Sequence, residues 1–371
     1  MKRSARAGRL AVPAAVAAIV AVGACLAQSW DGEATDVRGA PGEVRNARLE
    51  ERSAAAGLEP AFRAARDAGA EPAWAGYLVP ATGRHDTCCG GSDDGGGCCG
   101  CRLEGGRSFE SRSRPDAAVE LERGGRLWVL YRFEGSRVDR IRTFSEDCAL
   151  DAGGLRFVRI ADVSPADSLR LLAAFVTNGG EKDRLAEGAL AAIAFHDDTG
   201  ADALLDGFAA PGRPDRLRKK AAFWMGNARG RRGFETLRRL VRSDPSDGFR
   251  EDIVFSLTQS RELEATDVLV ETARRDASAR VRGQALFWLA QKAGRKAAAA
   301  ITRAIEDDPE TEVKKKAVFA LSQLPKDEGL PLLIRTAREN RNPAVRRQAM
   351  FWLGQSGDPR ALAFFEEVLK N

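Results

Sequence analysis

Cysteine is the residue type in this chain best suited to chemistry, and five of the seven cysteines lie between residues 88 and 101. These five are Cys88, Cys89, Cys98, Cys99 and Cys101, while Cys25 precedes them and Cys148 follows. Grouped thiols can hold a metal ion, pair as disulfides or react as redox-active thiolates. The spacing of the sulfurs helps to decide among these three chemistries.

The spacing favours disulfides. Structural zinc sites usually take their ligands from two closely spaced cysteine pairs, and only Cys98 and Cys101 are separated by the two residues that such a pair needs. Cys88 and Cys89 are adjacent, and neighbouring side chains rarely point at one ion. We therefore predict disulfides among Cys88, Cys89, Cys98, Cys99, Cys101 and Cys148. A redox or metal-binding protein centred on residues 88–101, with His85 nearby, is the alternative interpretation.

The first residues indicate export. Four basic residues among the first nine precede an apolar run over residues 10–24. A basic start, a short apolar run and a small-residue exit predict a signal peptide over residues 1–27, cleaved after Ala27. Residues 22–25 also resemble a bacterial lipobox, which would instead leave Cys25 as a lipid anchor. In both cases the mature protein is expected in the periplasm or cell envelope, where disulfides form.

A disordered lead-in (28–42) and a helix plus a cysteine-containing β unit (43–162) are predicted next. Residues 43–68 are expected to be helical, with a break near residues 57–60. Strands are expected at residues 74–79, 117–121, 127–133 and 138–144, with an edge strand at 155–160. The turn at residues 134–137 favours a hairpin, so the unit is predicted to be mostly antiparallel.

Residues 163–371 contain a repeat with a period of 32 that starts at Leu185. One apolar column consists of Leu185, Leu217, Phe249, Val281, Val313 and Val345, and others follow four, eight and twenty residues later. Paired apolar faces that recur six times predict a solenoid, because one helix pair cannot bury its apolar faces alone. The predicted fold class is mainly α, with a C-terminal α-solenoid of six 32-residue helix pairs behind a small antiparallel β-rich unit.

Two aromatic columns run through the repeats. One consists of Phe223, Phe255, Phe287, Phe319 and Phe351, and the next alternates as Trp224, Ser256, Trp288, Ala320 and Trp352. The simplest interpretation is packing between repeats, in which each indole fills the space beside a small residue of the neighbouring repeat. The alternative is a platform on which a sugar or a pigment stacks.

Residues 345–362 (Val-Arg-Arg-Gln-Ala-Met-Phe-Trp-Leu-Gly-Gln-Ser-Gly-Asp-Pro-Arg-Ala-Leu) resemble the bacterial HEAT repeat of the phycobilisome-lyase type. The resemblance covers residues 165–371 and implies a structural ladder of polar columns without a catalytic residue. The ladder residues are Asp244, Asp276, Asp308, Arg250, Arg282, Lys314 and Arg346. The whole chain also resembles exported HEAT-repeat proteins that carry a cysteine-bearing β unit in front.

Function is predicted to be binding. The sequence contains no hydrolase, zinc-protease or nucleotide-loop fingerprint. His196 follows a repeat helix, whose C-terminal dipole favours a cation there. We therefore predict no enzyme and no cofactor, but an exported HEAT-repeat scaffold that mediates protein–protein interaction in the cell envelope.

Clusters of basic residues are either solvated helix faces, which is the simpler interpretation, or an interaction surface. They are Arg218, Lys219, Lys220, Arg231, Arg232, Lys314, Lys315 and Lys316. Such a surface suits an acidic peptide, an anionic lipid or a polysaccharide. Nucleic acid is not expected, because the net charge is only +5 and the protein is exported. Apolar residues from Leu362 to Leu369 predict that the C-terminal end docks on a second copy of the chain or on a partner.

Overall fold

The computed structural model describes residues 42–82, 101–104, 125–146, 148–178, 184–292 and 294–370. These residues form eight strands and fourteen helices. The strands are β1 (Val44–Arg45), β2 (Arg48–Ser53), β3 (Ala73–Pro80), β4 (Cys101–Arg102), β5 (Arg126–Glu134), β6 (Arg137–Ser145), β7 (Leu150–Asp151) and β8 (Arg156–Ala161). The helix α1 (Leu58–Asp67) lies between β2 and β3. The strand predicted at 117–121 lies outside the described residues.

The larger sheet has the strand order β2-β8-β3-β5-β6 and is mixed. β8 pairs in parallel with β2 and β3, whereas β5 pairs antiparallel with β3 and β6. The prediction of a mostly antiparallel unit is therefore right only for the β3-β5-β6 part, and β8 is interior where an edge strand was expected. The smaller sheet, β1-β7-β4, is parallel throughout.

The helical prediction for residues 43–68 is right for α1 and wrong for the residues before Gly57, where β1 and β2 form instead. The mostly exposed and charged residues of β2 form a strand because β8 offers a parallel partner, as where Arg48 pairs with Arg156. α1 begins only after Gly57, whose φ of 108° lies in the region that glycine adopts readily. Leu58 and Phe62 then lie on the buried side of α1.

Thirteen helices follow the β unit and form the solenoid. They are α2 (Pro165–Asn178), α3 (Arg184–Phe195), α4 (Thr199–Ala209), α5 (Asp215–Ala228), α6 (Gly230–Ser243), α7 (Asp247–Gln259), α8 (Ala265–Arg275), α9 (Ala279–Lys292), α10 (Gly294–Asp307), α11 (Thr311–Ser322), α12 (Lys326–Glu339), α13 (Pro343–Gln355) and α14 (Pro359–Lys370). From α3 onward they make six pairs, which confirms the predicted mainly α fold. Within the described residues, none of the helices has the length and apolarity needed to cross a membrane.

The solenoid has two layers of helices. The odd-numbered helices from α3 to α13 form one layer, and they pack on one another more closely than the even-numbered helices of the other layer do. Residues four places after the first apolar column are fully buried, as Ala221, Ile253 and Ala285 illustrate. Alanine dominates this column, and its small size is consistent with the close approach of neighbouring helices.

One continuous hydrophobic core joins the β unit to the solenoid. Tyr131 of β5, Leu172 of α2 and Ile193 of α3 all belong to it and are at most 1% exposed. The opposite side of the sheet forms a second, smaller core around Trp128 and Phe157. The sheet therefore closes the N-terminal end of the solenoid instead of standing apart as a separate domain.

Candidate functional site on the odd-numbered helices

Arginine–aspartate pairs run through the buried side of the odd-numbered helices. Arg250 donates to both carboxylate oxygens of Asp276, at 2.8 and 2.9 Å, and to the backbone oxygen of Asp244 at 2.8 Å. Arg282 reaches Asp308 at 2.7 and 3.0 Å in the same way, and Arg218 pairs with Asp244. Each arginine thus links one inter-repeat turn to the next.

The aspartates of this ladder also organise the turns. One carboxylate oxygen of Asp276 accepts from the backbone N–H of Ser278 at 2.8 Å, and Asp308 accepts from Glu310 at 2.9 Å. The hydrogen bond to Asp276 raises the pKa of Arg250, so the guanidinium stays charged. A turn of this kind presents the next helix in a fixed orientation.

The last two repeats depart from the pattern. Lys314 donates to the backbone oxygen of Glu306 at 2.7 Å, and Arg346 donates to the backbone oxygen of Asn340 at 2.8 Å. Lysine has no planar fork with which to bridge a carboxylate and a carbonyl together. The two-sided bridge is therefore made by Arg250, by Arg282 and by Arg218, which donates to the backbone oxygen of Ala209 at 2.9 Å as well as to Asp244.

Most of the basic residues predicted as an interaction surface are paired within the chain. Arg218 is only 4% exposed and belongs to the ladder, so its assignment to the surface is wrong. Lys219 lies 2.7 Å from Asp252, and Lys220 pairs with Glu187 across the repeat boundary. These contacts neutralise much of the charge that the sequence pattern suggested.

The other predicted basic residues lie on both layers. Arg231, at the start of α6, reaches Glu264 at 2.6 Å, and Arg232 lies 3.3 Å from Asp202. In α11, Lys315 reaches Glu312 at 3.0 Å, while Lys316 is exposed and lies against Gly283 of the preceding repeat. Because they are divided between two layers, the predicted basic residues do not form one surface.

A buried polar chain joins the sheet to the first repeat, and the sequence pattern gave no sign of it. The hydroxyl groups of Tyr77 and Tyr131 lie 2.8 Å apart, and Tyr77 lies 2.9 Å from the hydroxyl of Ser168. Ser168 lies 2.8 Å from Nε2 of His196, whose Nδ1 lies 2.7 Å from the backbone oxygen of Ala192. A carbonyl only accepts, so Nδ1 carries the proton and Nε2 accepts from Ser168.

His196 is neutral, which corrects the expectation of a cation at this helix end. It is 0% exposed, and burial lowers its pKa to about 4. The guanidinium of Arg229 donates to the backbone oxygens of Ala194 and His196 and lies 2.7 Å from Asp202. The serine–histidine spacing suits a nucleophile and its base, but both side chains are fully buried, and their contacts fit a packing role.

The predicted cysteine cluster lies largely outside the described residues. Cys88, Cys89, Cys98 and Cys99 are not described, and only the backbone of Cys101 is placed, in β4. The register of β4 sets Cys101 beside Leu150, two residues after the buried Cys148. Within the described residues, no group of histidine, cysteine and carboxylate side chains has the arrangement of a metal site.

The phenylalanine column lies on the side of the odd-numbered helices that faces away from the other layer. At 100° per residue, Phe287 of α9 lies roughly 120–160° around the helix from the buried Val281, Ala285 and Leu289. Its counterparts Phe223, Phe255 and Phe319 are partly exposed as well, and Phe351 is 54% exposed. We refer to this side of α5, α7, α9, α11 and α13 as the outward face.

Nine aromatic rings follow one another along the odd-numbered layer, with neighbouring centroids 4.9–6.2 Å apart. In order they are Phe195, Trp224, Phe223, Phe255, Trp288, Phe287, Phe319, Trp352 and Phe351, and we call them the aromatic ribbon. Phe223 and Phe255 stack at 6.2 Å, and Phe255 contacts Trp288 at 4.9 Å. The rings therefore pack between repeats and also present aromatic surface to solvent.

Known proteins share the helical-repeat arrangement. A family model described as HEAT repeats matches residues 298–371. No curated protein matches the chain. Human deoxyhypusine hydroxylase in complex with glycerol is 16% identical, with a TM-score of 0.28 over 54% of this chain and 88% of that chain.

Two further solved structures resemble the chain at similar levels. The complex of CpcE and CpcF of phycocyanin lyase from Nostoc is 19% identical, with a TM-score of 0.30 over 55% of this chain and 82% of that chain. A structure of Kap95p with RanGDP is 15% identical, with a TM-score of 0.33 over 52% of this chain and 30% of that chain. The segment 298–371 is similar to HEAT repeats, and helix pairs of the same 32-residue period precede it.

Proposed function

We propose that this protein is an exported scaffold that binds a protein partner through the outward face of its odd-numbered helices. The observation that carries the proposal is the aromatic ribbon, because it sets partly exposed phenylalanine rings in five successive repeats. Aromatic residues are enriched in protein interfaces, where they supply much of the binding energy. HEAT repeats in general mediate protein–protein interaction.

Basic residues contribute less to the proposed binding surface than the sequence-based prediction assigned to them. The basic residues are largely paired with acidic residues of neighbouring repeats, as Lys219 is with Asp252. Exposed pairs of this kind contribute little net field and are screened by salt. An apolar contact along the ribbon is therefore the better basis for binding.

The proposal also includes export of the protein and disulfide pairing of its cysteines. The basic and apolar start of the chain supports a signal peptide over residues 1–27, with a lipid anchor at Cys25 as the variant of the same route. The backbone of Cys101 lies beside the segment that holds the buried Cys148. Their proximity supports disulfides that fasten the 88–101 segment to the β unit.

Affinity capture with the full chain tests the scaffold function. A protein captured from an envelope extract should be lost with Phe351→Glu, because a charge would replace an aromatic contact on the outward face. Leu263→Glu is the matched control, since Leu263 is an exposed apolar residue, 87% accessible, away from the ribbon. Equal capture by both variants would contradict binding through this face.

A second interaction is favoured by the last helix pair. Leu362, Val368 and Leu369 of α14 are 61%, 45% and 86% exposed. Apolar residues exposed together mark a surface that a partner covers, and we propose self-association through it. Light scattering should give a larger mass for the full chain than for its Leu362→Glu, Leu369→Glu variant, and a monomeric parent at high concentration would refute self-association.

A further inference from the structure

We infer that the outward face binds a polypeptide segment in an extended conformation. The inference rests on the proposed scaffold function and specifies what the partner presents. Its basis is a second column of side chains beside the ribbon, together with a segment of this chain that already lies on the equivalent face of the first repeat.

The second column consists of side-chain amides. It contains Asn227, Gln259, Gln291, Gln323 and Gln355, and we call it the amide column. Each amide follows a ribbon phenylalanine by four residues, so both lie on the same side of the helix, about 5–6 Å apart at Cβ. Five repeats thus present one ring and one amide in the same arrangement.

The amide column has unused hydrogen-bonding capacity. Asn227, Gln291, Gln323 and Gln355 are exposed. Among the described residues, the side-chain amides of Asn227, Gln291 and Gln355 make no hydrogen bond. The half-buried Gln259 donates to Thr258 at 3.0 Å, and Gln323 donates to Ser322 at 3.1 Å. A carboxamide both donates and accepts, as a peptide group does. A row of such groups suits the backbone of a chain whose peptide groups are free to pair.

An extended conformation is what leaves peptide groups free. A helix uses its N–H and C=O groups internally, whereas a single strand presents them along its length. Side chains of a strand alternate between two sides, so every second one can lie against the phenyl rings. The adjacent ring and amide columns therefore match an extended chain better than a helical one.

The first repeat shows an extended segment on the corresponding face. Strand β6 packs on α3, and a Cβ added at Gly188 would lie only 2.6 Å from the carbonyl oxygen of Ile141. Gly188 holds the position that Lys316 holds four repeats later. Ala191 stands where the later repeats have the ribbon phenylalanine, and Phe195 stands where they have the amide.

The face thus accepts a strand in the repeat where the chain supplies one. In the five later repeats phenylalanine stands in place of Ala191, an amide stands in place of Phe195, and a polar side chain stands in place of Gly188. The side chains at the Gly188 and Ala191 positions are larger in the later repeats than in repeat one. They form an open surface at the place that β6 covers in repeat one. An external extended segment is the occupant that this arrangement fits.

A sugar or pigment platform fits the geometry less well. Sugars stack on a free face of an aromatic ring, but Phe255, Phe287 and Phe319 each have ring neighbours on two sides at 4.9–6.2 Å. The surface is a continuous strip without separate flat platforms. Its repeating ring and amide positions correspond to a linear ligand with a repeating backbone.

The test is selection of random dodecapeptides by the full chain. We expect enriched peptides with apolar residues at alternate positions. Their affinity should fall about tenfold for Gln291→Ala, Gln323→Ala, because each alanine removes hydrogen bonds to the peptide backbone. Phe351→Ala should also weaken binding.

Matched controls separate binding from folding. Leu263→Ala, an exposed apolar truncation off the ribbon, and Glu339→Ala, Glu366→Ala, an exposed pair on the even-numbered helices, should bind the peptides as the parent does. All of these variants should keep the parent circular dichroism spectrum and thermal midpoint. The changed side chains are largely exposed, so a loss of affinity then reports on contact with the peptide.

Three outcomes would overturn the inference. They are failure to enrich any peptide, equal affinity for the amide-column variant and the parent, and ribbon-dependent binding of a defined glycan or a free tetrapyrrole in place of peptides. The proposed scaffold function is judged separately, by capture with Phe351→Glu. If that capture is lost while no dodecapeptide is enriched, the partner docks as a folded surface and only the extended-segment inference fails.

Discussion

The first repeat and the later repeats share a buried side but differ on the outward face. In α3 two of the outward positions carry small residues, Gly188 and Ala191, and strand β6 lies against Gly188. In α5 to α13 phenylalanine stands in place of Ala191, and a polar side chain stands in place of Gly188. The repeat thus keeps the packing that all six pairs need and varies only the surface that a neighbour covers. The outward face is therefore the surface on which we propose that a partner chain binds.

The shared buried side should be the most sensitive region. Arg282→Met removes the partner of Asp308, which is 8% exposed, and should cost about 3–5 kcal/mol of unfolding free energy because a buried carboxylate loses its counter-ion. Arg280→Met is the control two residues away, since Arg280 pairs with Glu251 on the surface and should contribute less than about 1 kcal/mol. Urea denaturation measures both, and equal losses would show that the ladder is not a special element.

The N-terminal end of the solenoid, which the sheet closes, should also be the region whose stability depends on the pH. Because burial lowers the pKa of His196 to about 4, the unfolded chain binds a proton near pH 6.5 before the folded chain does. The titration of this histidine therefore leaves the free energy of unfolding independent of pH above about 6.5. It lowers that free energy by about 3 kcal/mol as the pH falls to 4.

His196→Gln can keep both hydrogen bonds of the buried histidine and has no titratable group. The difference in unfolding free energy between parent and variant should change with pH between 6.5 and 4 and be constant above 6.5. Subtracting the two profiles removes the shared contribution of the carboxylates. A constant difference across the whole range would mean that His196 titrates normally and is not sealed at the junction.

A larger side chain should be tolerated differently at Gly188, where β6 covers the outward face, and at the same position of a later repeat, where the face is open. Gly188→Leu places a side chain against the backbone of Ile141 and should cost about 1–3 kcal/mol, in spite of the better helix propensity of leucine. Lys316→Leu makes the equivalent change on the open face, where the residue is exposed, and should stay within about 0.5 kcal/mol. Thermal unfolding of the two variants compares the faces directly, and similar shifts would show that β6 does not restrict this position.

Removing a ring from the open face should have the smallest effect on stability. Phe351→Ala should cost under about 1 kcal/mol because the ring is 54% exposed. Phe234→Ala, in the core of α6 at 0% exposure, should cost about 3–5 kcal/mol. If Phe351 proved as costly as Phe234, its ring would serve the fold and would not be available to a partner.

The repeat architecture could be predicted from the sequence because its information is local and periodic. Apolar columns, each with six members spaced by 32 residues, specify the helix pairs, and the Asp276 and Arg282 columns mark the turns between them. Parallel pairing could not be predicted in this way. β2 joins β8 through partners such as Arg48 and Arg156, and nothing near either strand in the sequence indicates the other.

The site was only partly visible in the sequence. The basic clusters drew attention because charge is easy to see, yet Lys219 and Asp252 neutralise each other across a repeat boundary. The amide column was missed although the period displays it, since Gln291 and Gln323 are uncharged and carry no motif. The Tyr77–Ser168–His196 chain depends on how the sheet packs on α2 and α3, which no local pattern specifies.

The most direct test of the account places a photo-reactive group on the outward face of the full chain. Phe351→p-benzoylphenylalanine keeps an aromatic side chain in the ribbon, and Leu263→p-benzoylphenylalanine is the matched exposed position outside it. Irradiation in cells that express the protein should give a discrete protein adduct from position 351 and none from position 263. Adducts of the same protein from both positions, or from 263 alone, would contradict binding through the outward face.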